Sequence, residues 1–352
     1  MTDYFRGRCR VLIALFLLPA VFWCLQYSDV QADSSTSFGI IQYNVKAGQG
    51  GWSDKNGSRD VEVSLIADKM TDPNLPSPVE FISLVQVNDS PISTLLGLEN
   101  WKTIISGCDA EHDGTAYVAG TQIAYDSKRW KLVDRQNITN PLSKDKGYNS
   151  NLCWAKLGSH DQGRPYNIAY FEDQRSKTRL LLLVVHMPHC GAYPRQSSEG
   201  DFFGKGDLNA LAACLEKWDG APAFYNNILK VTGSTKADLK DINVMIVGDT
   251  NELGNATTGS SGPFTGDPAG YQAVFKNFGH LVVTTLAGTT CCNQDGWTNY
   301  FDRVVTNNTS DTPYATIIQP KNCKRPEQCY PLFGAAEEHK AIYAVVTFLA
   351  PK

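Results

Sequence analysis

Four short apolar runs, each with a polar residue at or near its end, limit what this chain can fold into. They are Phe38 to Asn44 (FGIIQYN), Phe81 to Val87 (FISLVQV), Arg179 to His186 (RLLLLVVH) and Ile242 to Asn251 (INVMIVGDTN). Runs this short, apolar on successive residues, suit strands buried on both faces and cannot span a membrane as helices. In the last run the polarity flips at Gly248, where the backbone can turn. Asp249 and Asn251 follow two residues apart, on one side of an extended chain. A carboxylate and an amide at the mouth of a buried strand suit a divalent cation or a water directed at phosphorus, since both need hard oxygen partners. The same residues also make an ordinary Asx turn.

The N-terminus reads as an export signal. Arg6, Arg8 and Arg10 precede an apolar run from Val11 to Leu25 and a small-x-small site at Val30-Gln31-Ala32. Cleavage after Ala32 is expected, leaving one domain over residues 33–352; an uncleaved anchor is the alternative. Of the ten cysteines, Cys9 and Cys24 leave with the signal. Those remaining are Cys108, Cys153, Cys190, Cys214, Cys291, Cys292, Cys323 and Cys329, an even number that argues for disulfides in an oxidising compartment. Cys323 and Cys329 are expected to close a short loop. Sequons at Asn56, Asn88, Asn137, Asn255 and the overlapping pair Asn307 and Asn308 fit a secreted glycoprotein. The net charge of −4, with no basic patch, argues against tight non-specific nucleic-acid binding but not against an enzyme that meets phosphate through a cation.

Further elements are expected along the chain. Asp60 caps a helix through Met70, and residues 114–133 form hairpin material. Strands are expected over Tyr166 to Phe171, Phe301 to Thr306 and Ala341 to Leu349. Helices are expected at Leu208 to Trp218, Ala223 to Val231 and Tyr271 to Phe278. Collecting the polar residues at strand ends gives Asn44, Gln86, His186, Asp249 with Asn251, Asp302 and His339. Each is weak alone, but strand ends at one edge of a sheet sandwich are where catalytic groups collect.

Taken in order, these segments resemble the endonuclease/exonuclease/phosphatase superfamily. QYN ending at Asn44 is similar to its first-strand asparagine motif, LVQV at Leu84 to Val87 falls where it has LQE, and VVHMP carries His186. GDTN at Gly248 to Asn251 is similar to its GDxN, FDRV contains Asp302, and EEH ends at His339. The resemblance implies a deoxyribonuclease I-like, four-layer α-β-β-α sandwich. It further implies that Asp249 orients or deprotonates the attacking water, Asn251 fixes the phosphate, and His186 and His339 contact phosphate oxygens, with Asp302 aligning His339. Asn44, Asp249 and Glu338 would hold Mg²⁺ or Mn²⁺, in a site weakened because Val87 stands where the family has a ligating glutamate.

The resulting expectation is a secreted, monomeric, metal-dependent phosphoesterase without a stable protein partner, hydrolysing a phosphodiester in a nucleic acid or a phospholipid head group. The alternatives are a phosphate-binding pseudoenzyme of the same fold, favoured by Val87, and a sphingomyelinase-like lipid phosphodiesterase, for which Phe202, Phe203 and Trp297 would supply apolar contacts. No Walker A loop, GxSxG elbow or HExxH motif supports another enzyme class.

Overall fold

The computed structural model describes residues 35–45, 58–87, 90–112, 115–136, 138–139, 152–154, 164–187, 221–250, 268–288, 290, 302–309, 313–321 and 339–349. The strands fall in two sheets. One runs in the order β11 (Thr285–Leu286), β13 (Tyr314–Ile317), β14 (Ile342–Phe348), β1 (Thr36–Asn44), β2 (Val79–Val87), β4 (Thr115–Asp126) and β3 (Trp101–His112). The other runs β10 (Val282–Val283), β12 (Asp302–Thr306), β9 (Asn243–Asp249), β8 (Arg179–His186), β7 (Arg164–Asp173) and β5 (Trp130–Leu132), with β6 (Cys153–Trp154) beside β7.

The four apolar runs become β1, β2, β8 and β9, and they form the two parallel pairs at the sheet centres. Parallel neighbours need a crossover. Helix α1 (Ser58–Met70) lies between β1 and β2 in sequence, and α3 (Ala221–Thr232) between β8 and β9. The short helix α2 (Ile92–Leu95) follows β2. Both faces of each central strand are covered, which is why these runs lack alternation. Phe38, Phe81, Leu182, Val247 and Ile342 pack between the sheets. Leu65 and Ile66 of α1 pack with Ile41, Ile82 and Leu84 on the outer face of the first sheet. Phe224, Ile228 and Val231 of α3, with Tyr271 and Val274 of α4 (Pro268–Val274), pack with Leu183 and Ile246 on the outer face of the second. Each large side chain buried this way stabilises the fold by ~1.5–3 kcal/mol. The result is the expected four-layer α-β-β-α sandwich.

Local expectations are adjusted in three places. The hairpin is longer than expected, pairing β3 with β4 from Trp101↔Asp126 to His112↔Thr115. Strand β3 escaped notice because, as an edge strand, it mixes Lys102, Thr103, Ser106 and Gly107 among its apolar residues. Helix α1 starts at Ser58, so Asp60 lies in its first turn. The helix expected at Tyr271 starts at Pro268 and gives way to a 3₁₀ turn at Lys276–Phe278, closed by Gly279 at φ 74°. The export signal, the segment 208–218, Phe202, Phe203, Trp297 and the expected Cys323–Cys329 pair lie outside the described residues.

At the end where β1 and β2 begin, buried polar groups join the two sheets. Arg129 pairs with Glu80 of β2 and, through Nη2 at 3.1 Å, with Asp173 of β7; the indole Nε1 of Trp130 donates to Glu80 at 2.7 Å. Burial pushes the Glu80 carboxyl up against the pull of Trp130 and Arg129. At Asp173 burial acts the same way but is outweighed by the N–H of Arg175 and by Arg129 and Ser176, and the carboxyl is held down. Beside them Thr36 Oγ1 donates to Thr178 Oγ1 at 3.0 Å, again across the sheets. Trp130 also meets Phe38 and Phe81 at centroid distances of 5.1 and 4.9 Å. Removing the cation strands two buried carboxylates, so Arg129→Met is expected to destabilise the protein by ~3–5 kcal/mol. Urea unfolding of both proteins measures it; a loss under ~1 kcal/mol would make the pairs no stronger than surface ones.

Candidate active site

The topology brings five polar side chains of three chemical kinds to one edge. Parallel strands β1, β8 and β9 end there with Asn44, His186 and Asp249, while antiparallel β12 and β14 begin there. In the second sheet His186, Asp249 and Asp302 lie side by side, since Asp249 is in register with both neighbours. Asn44 and His339 come from the first sheet, His339 just before β14. All five are at least 97 % buried, so their mutual interactions are little screened by solvent.

Asp249 is the centre of the cluster. Its Oδ2 accepts from Asn44 Nδ2 at 2.8 Å and lies 3.6 Å from His186 Nε2 and 3.7 Å from His339 Nε2. The two imidazoles thus reach the same carboxylate oxygen from different sheets. His339 is oriented by Asp302, whose Oδ2 is 2.7 Å from His339 Nδ1, so the Nε2 edge faces Asp249 and Asn44, the latter at 3.4 Å. A proton on Nδ1 directed at a carboxylate fixes the tautomer of the ring. Asn251 and Glu338 lie outside the described residues.

Sequence reasoning passed over two residues that support this pair. Gln42 Nε2 donates to the other oxygen of Asp302 at 3.3 Å, and Ser83 Oγ donates to Gln42 Oε1 at 2.6 Å. Both are fully buried. The available signal was a polar residue inside each of two otherwise apolar strands, FGIIQYN and FISLVQV, where only a hydrogen-bonded group is tolerated. The Asp302 backbone N–H donates to Thr290 Oγ1 at 3.1 Å. Beyond Asp249, buried Thr250 shares a 2.7 Å hydrogen bond with the Tyr271 hydroxyl of α4.

A bulge sets where Val87 lies. Val85 packs between the sheets, but Val87, two residues on, packs on the outer face with Tyr43, Leu65 and Ile92. The side switches because the pairing with β4 skips Gln86, which takes φ 54° and is only partly buried. Val87 is therefore a core residue. Gln86, directly after the residue paired with Asn44, occupies the mouth end of β2. As for a cation, no group of three His, Cys, Asp or Glu among the described residues is placed to hold one. The oxygen donors at hand are the Asp249 carboxylate and the Asn44 amide. That pair fits Mg²⁺ held through one carboxylate and its own waters, and does not make a protein cage.

No family model and no curated protein sequence matches the chain. Among solved structures it is similar to an endonuclease/exonuclease/phosphatase family protein from Bacteroides thetaiotaomicron, at 14 % identity, covering 89 % of this chain and 98 % of that chain with a TM-score of 0.49. It is similar to the endonuclease/exonuclease/phosphatase from Bacteroides vulgatus at 12 % identity, covering 88 % and 98 % with a TM-score of 0.48. It is also similar to a Bacteroides thetaiotaomicron mannosyl-6-phosphatase at 14 % identity, covering 87 % and 98 % with a TM-score of 0.48.

Gly248 makes this geometry possible. Its φ is 138°, and a Cβ there would fall 1.9 Å from the Val185 carbonyl oxygen. No side chain fits so close to the backbone of the neighbouring strand. Gly248→Ala is expected to cost ~4 kcal/mol or more, since both strain and a backbone clash must be relieved. Thermal unfolding of the variant checks this; a melting temperature like that of the wild type would contradict it.

Proposed function

We propose that this protein is a phosphoesterase that hydrolyses a phosphodiester at the Asp249 cluster. One observation carries the reading: a buried carboxylate flanked by two imidazoles and an amide, one imidazole held by a second carboxylate at 2.7 Å. Phosphoryl hydrolysis needs an acceptor for the water's proton and donors for the charge growing on the non-bridging oxygens. Asp249 supplies the acceptor. Asn44 donates to it and so fixes which oxygen faces the substrate. His339, kept in its orientation by Asp302, and His186 from the opposite sheet supply donors on either side, and Asn251 adds an amide by the same sequence motif. Gln42 occupies the second oxygen of Asp302 in this scheme. A Mg²⁺ ion at Asp249 and Asn44 would polarise the phosphoryl oxygen. Export and one-chain operation are part of the proposal, the first on the Arg6 to Ala32 segment.

A second reading, phosphate binding without hydrolysis, is favoured by the bulge of β2. At the mouth end of β2 the bulged residue, Gln86, is an amide rather than a carboxylate, so among the described residues that strand adds no charged oxygen donor beside Asp249. The substrates proposed are a nucleic acid and, as the alternative, a phospholipid head group.

A metal-titrated hydrolysis screen on the mature protein, with plasmid DNA, RNA, an artificial phosphodiester and sphingomyelin, tests the reading. Asp249→Asn is expected to lower turnover by ~10²–10⁴-fold with an unchanged unfolding curve, and His339→Ala by ~10²–10³-fold with a loss of stability, because it leaves the buried Asp302 carboxylate without its partner. Wild-type rates in Asp249→Asn would remove it as the water's acceptor. Calorimetric Mg²⁺ titration addresses the cation. Gln86→Glu is expected to tighten binding, whereas Val87→Glu, which puts a carboxylate into an apolar layer, is expected to lower stability without tightening it. Identical affinity in wild type and Gln86→Glu would exclude residue 86 from the cation's surroundings.

A further inference from the structure

The overlapping sequons Asn307-Asn308-Thr309 and Asn308-Thr309-Ser310 offer two acceptor amides one residue apart. The fold treats them oppositely. Asn307 is 1 % exposed, and its amide is a structural bracket. Nδ2 donates to the carbonyls of Ile242 and Phe278, both at 2.8 Å, and Oδ1 accepts from Val244 N–H at 2.7 Å. It thereby joins the start of β9 to the 3₁₀ turn after α4. Asn308 is exposed, in the left-handed region at φ 49°, which asparagine tolerates better than most residues. Its position is fixed through the backbone, because its carbonyl accepts from Leu349 N–H at 3.0 Å and Thr309 bridges to Phe348.

We propose that Asn308 is an N-glycosylation site and that Asn307 is never modified in the folded protein. The inference rests on the export reading above. In the transfer, the Asn308 amide nitrogen forms a bond to the anomeric carbon of a lipid-linked oligosaccharyl diphosphate. The anomeric C–O bond to the diphosphate breaks, the lipid diphosphate leaves, and the amide gives up one proton. A sugar on Asn307 would replace one of the two Nδ2 hydrogens that the fold uses, one on each carbonyl, and would need space that the buried position lacks. Chains modified there cannot complete the β9 junction and drop out of the folded population.

The position also suits a permanent modification. Asp302 begins β12 at the candidate site, and Asn308 lies two residues past the opposite end at Thr306, which is itself roughly 13 Å from Asp302 at ~3.3 Å per residue. A glycan there leaves the site open. It also stands beside Leu349, one of the few large apolar side chains exposed among the described residues, at 45 %.

The test uses the full chain expressed in a secretory eukaryotic host. An amidase that releases N-glycans converts a modified asparagine to aspartate, which peptide mass spectrometry reads residue by residue. Two variants separate the sequons without touching either asparagine: Thr309→Ala abolishes the first, and Ser310→Ala abolishes the second. Wild type and Thr309→Ala are expected to carry the conversion at residue 308, and Ser310→Ala is expected to have neither residue converted in the secreted, folded fraction. Conversion at Asn307 in any folded sample, or secreted wild type glycosylated elsewhere but not at Asn308, would overturn the assignment alone. A chain retained in the cell with no glycan at any sequon would overturn the export reading together with it.

Discussion

The parallel pairing of β8 with β9 is the contact on which the rest depends. It runs in unbroken register from Leu180↔Asn243 to His186↔Asp249, and Gly248 makes it close enough to bring the two polar termini level. Because β12 then pairs with β9 through Asp302↔Asp249, one register sets three of the five clustered side chains. A one-residue slip in either pair would turn His186 or Asp302 away from the interior, as alternation requires. The first sheet needs only to deliver Asn44 and His339 to a place already defined.

Buried polar groups explain why the cluster holds one arrangement. In an interior of low polarisability each unpaired donor or acceptor is costly, and the row Ser83, Gln42, Asp302, His339 passes hydrogen bonds from one sheet to the other without leaving the sandwich. The chain of contacts crosses between sheets twice, at Gln42 to Asp302 and at Asp302 to His339. The sheets are therefore docked by specific polar contacts as well as by the apolar layer of Phe81, Leu182 and Val247.

Much of this was legible in the sequence because buried parallel strands write themselves as uninterrupted apolar runs, and all four such runs are central strands. The polar residues at their ends were equally visible, and five of them meet. What stayed hidden depends on pairing. Strand β3 lies at an edge and mixes polar with apolar residues; Gln42 and Ser83 look like imperfections in a run until their partner 260 positions away from Gln42 is known. The surroundings of Val87 were hidden for the same reason: the bulge at Gln86 breaks the alternation of β2 and sends Val87 to the outer layer.

The ionic group around Arg129 lies at the end of the sandwich away from Asp249. Glu80 and Thr36 belong to the first sheet, Asp173 and Thr178 to the second or the turn leading into it, so the layers are pinned there by charge and hydroxyl alike. The two sheets are thus joined by polar contacts at both margins, at the far one through Arg129 and the threonines and at the site through Asn44 to Asp249 and through Gln42 and His339 to Asp302, so the spacing between the imidazole from the first sheet and the imidazole from the second is set from both ends.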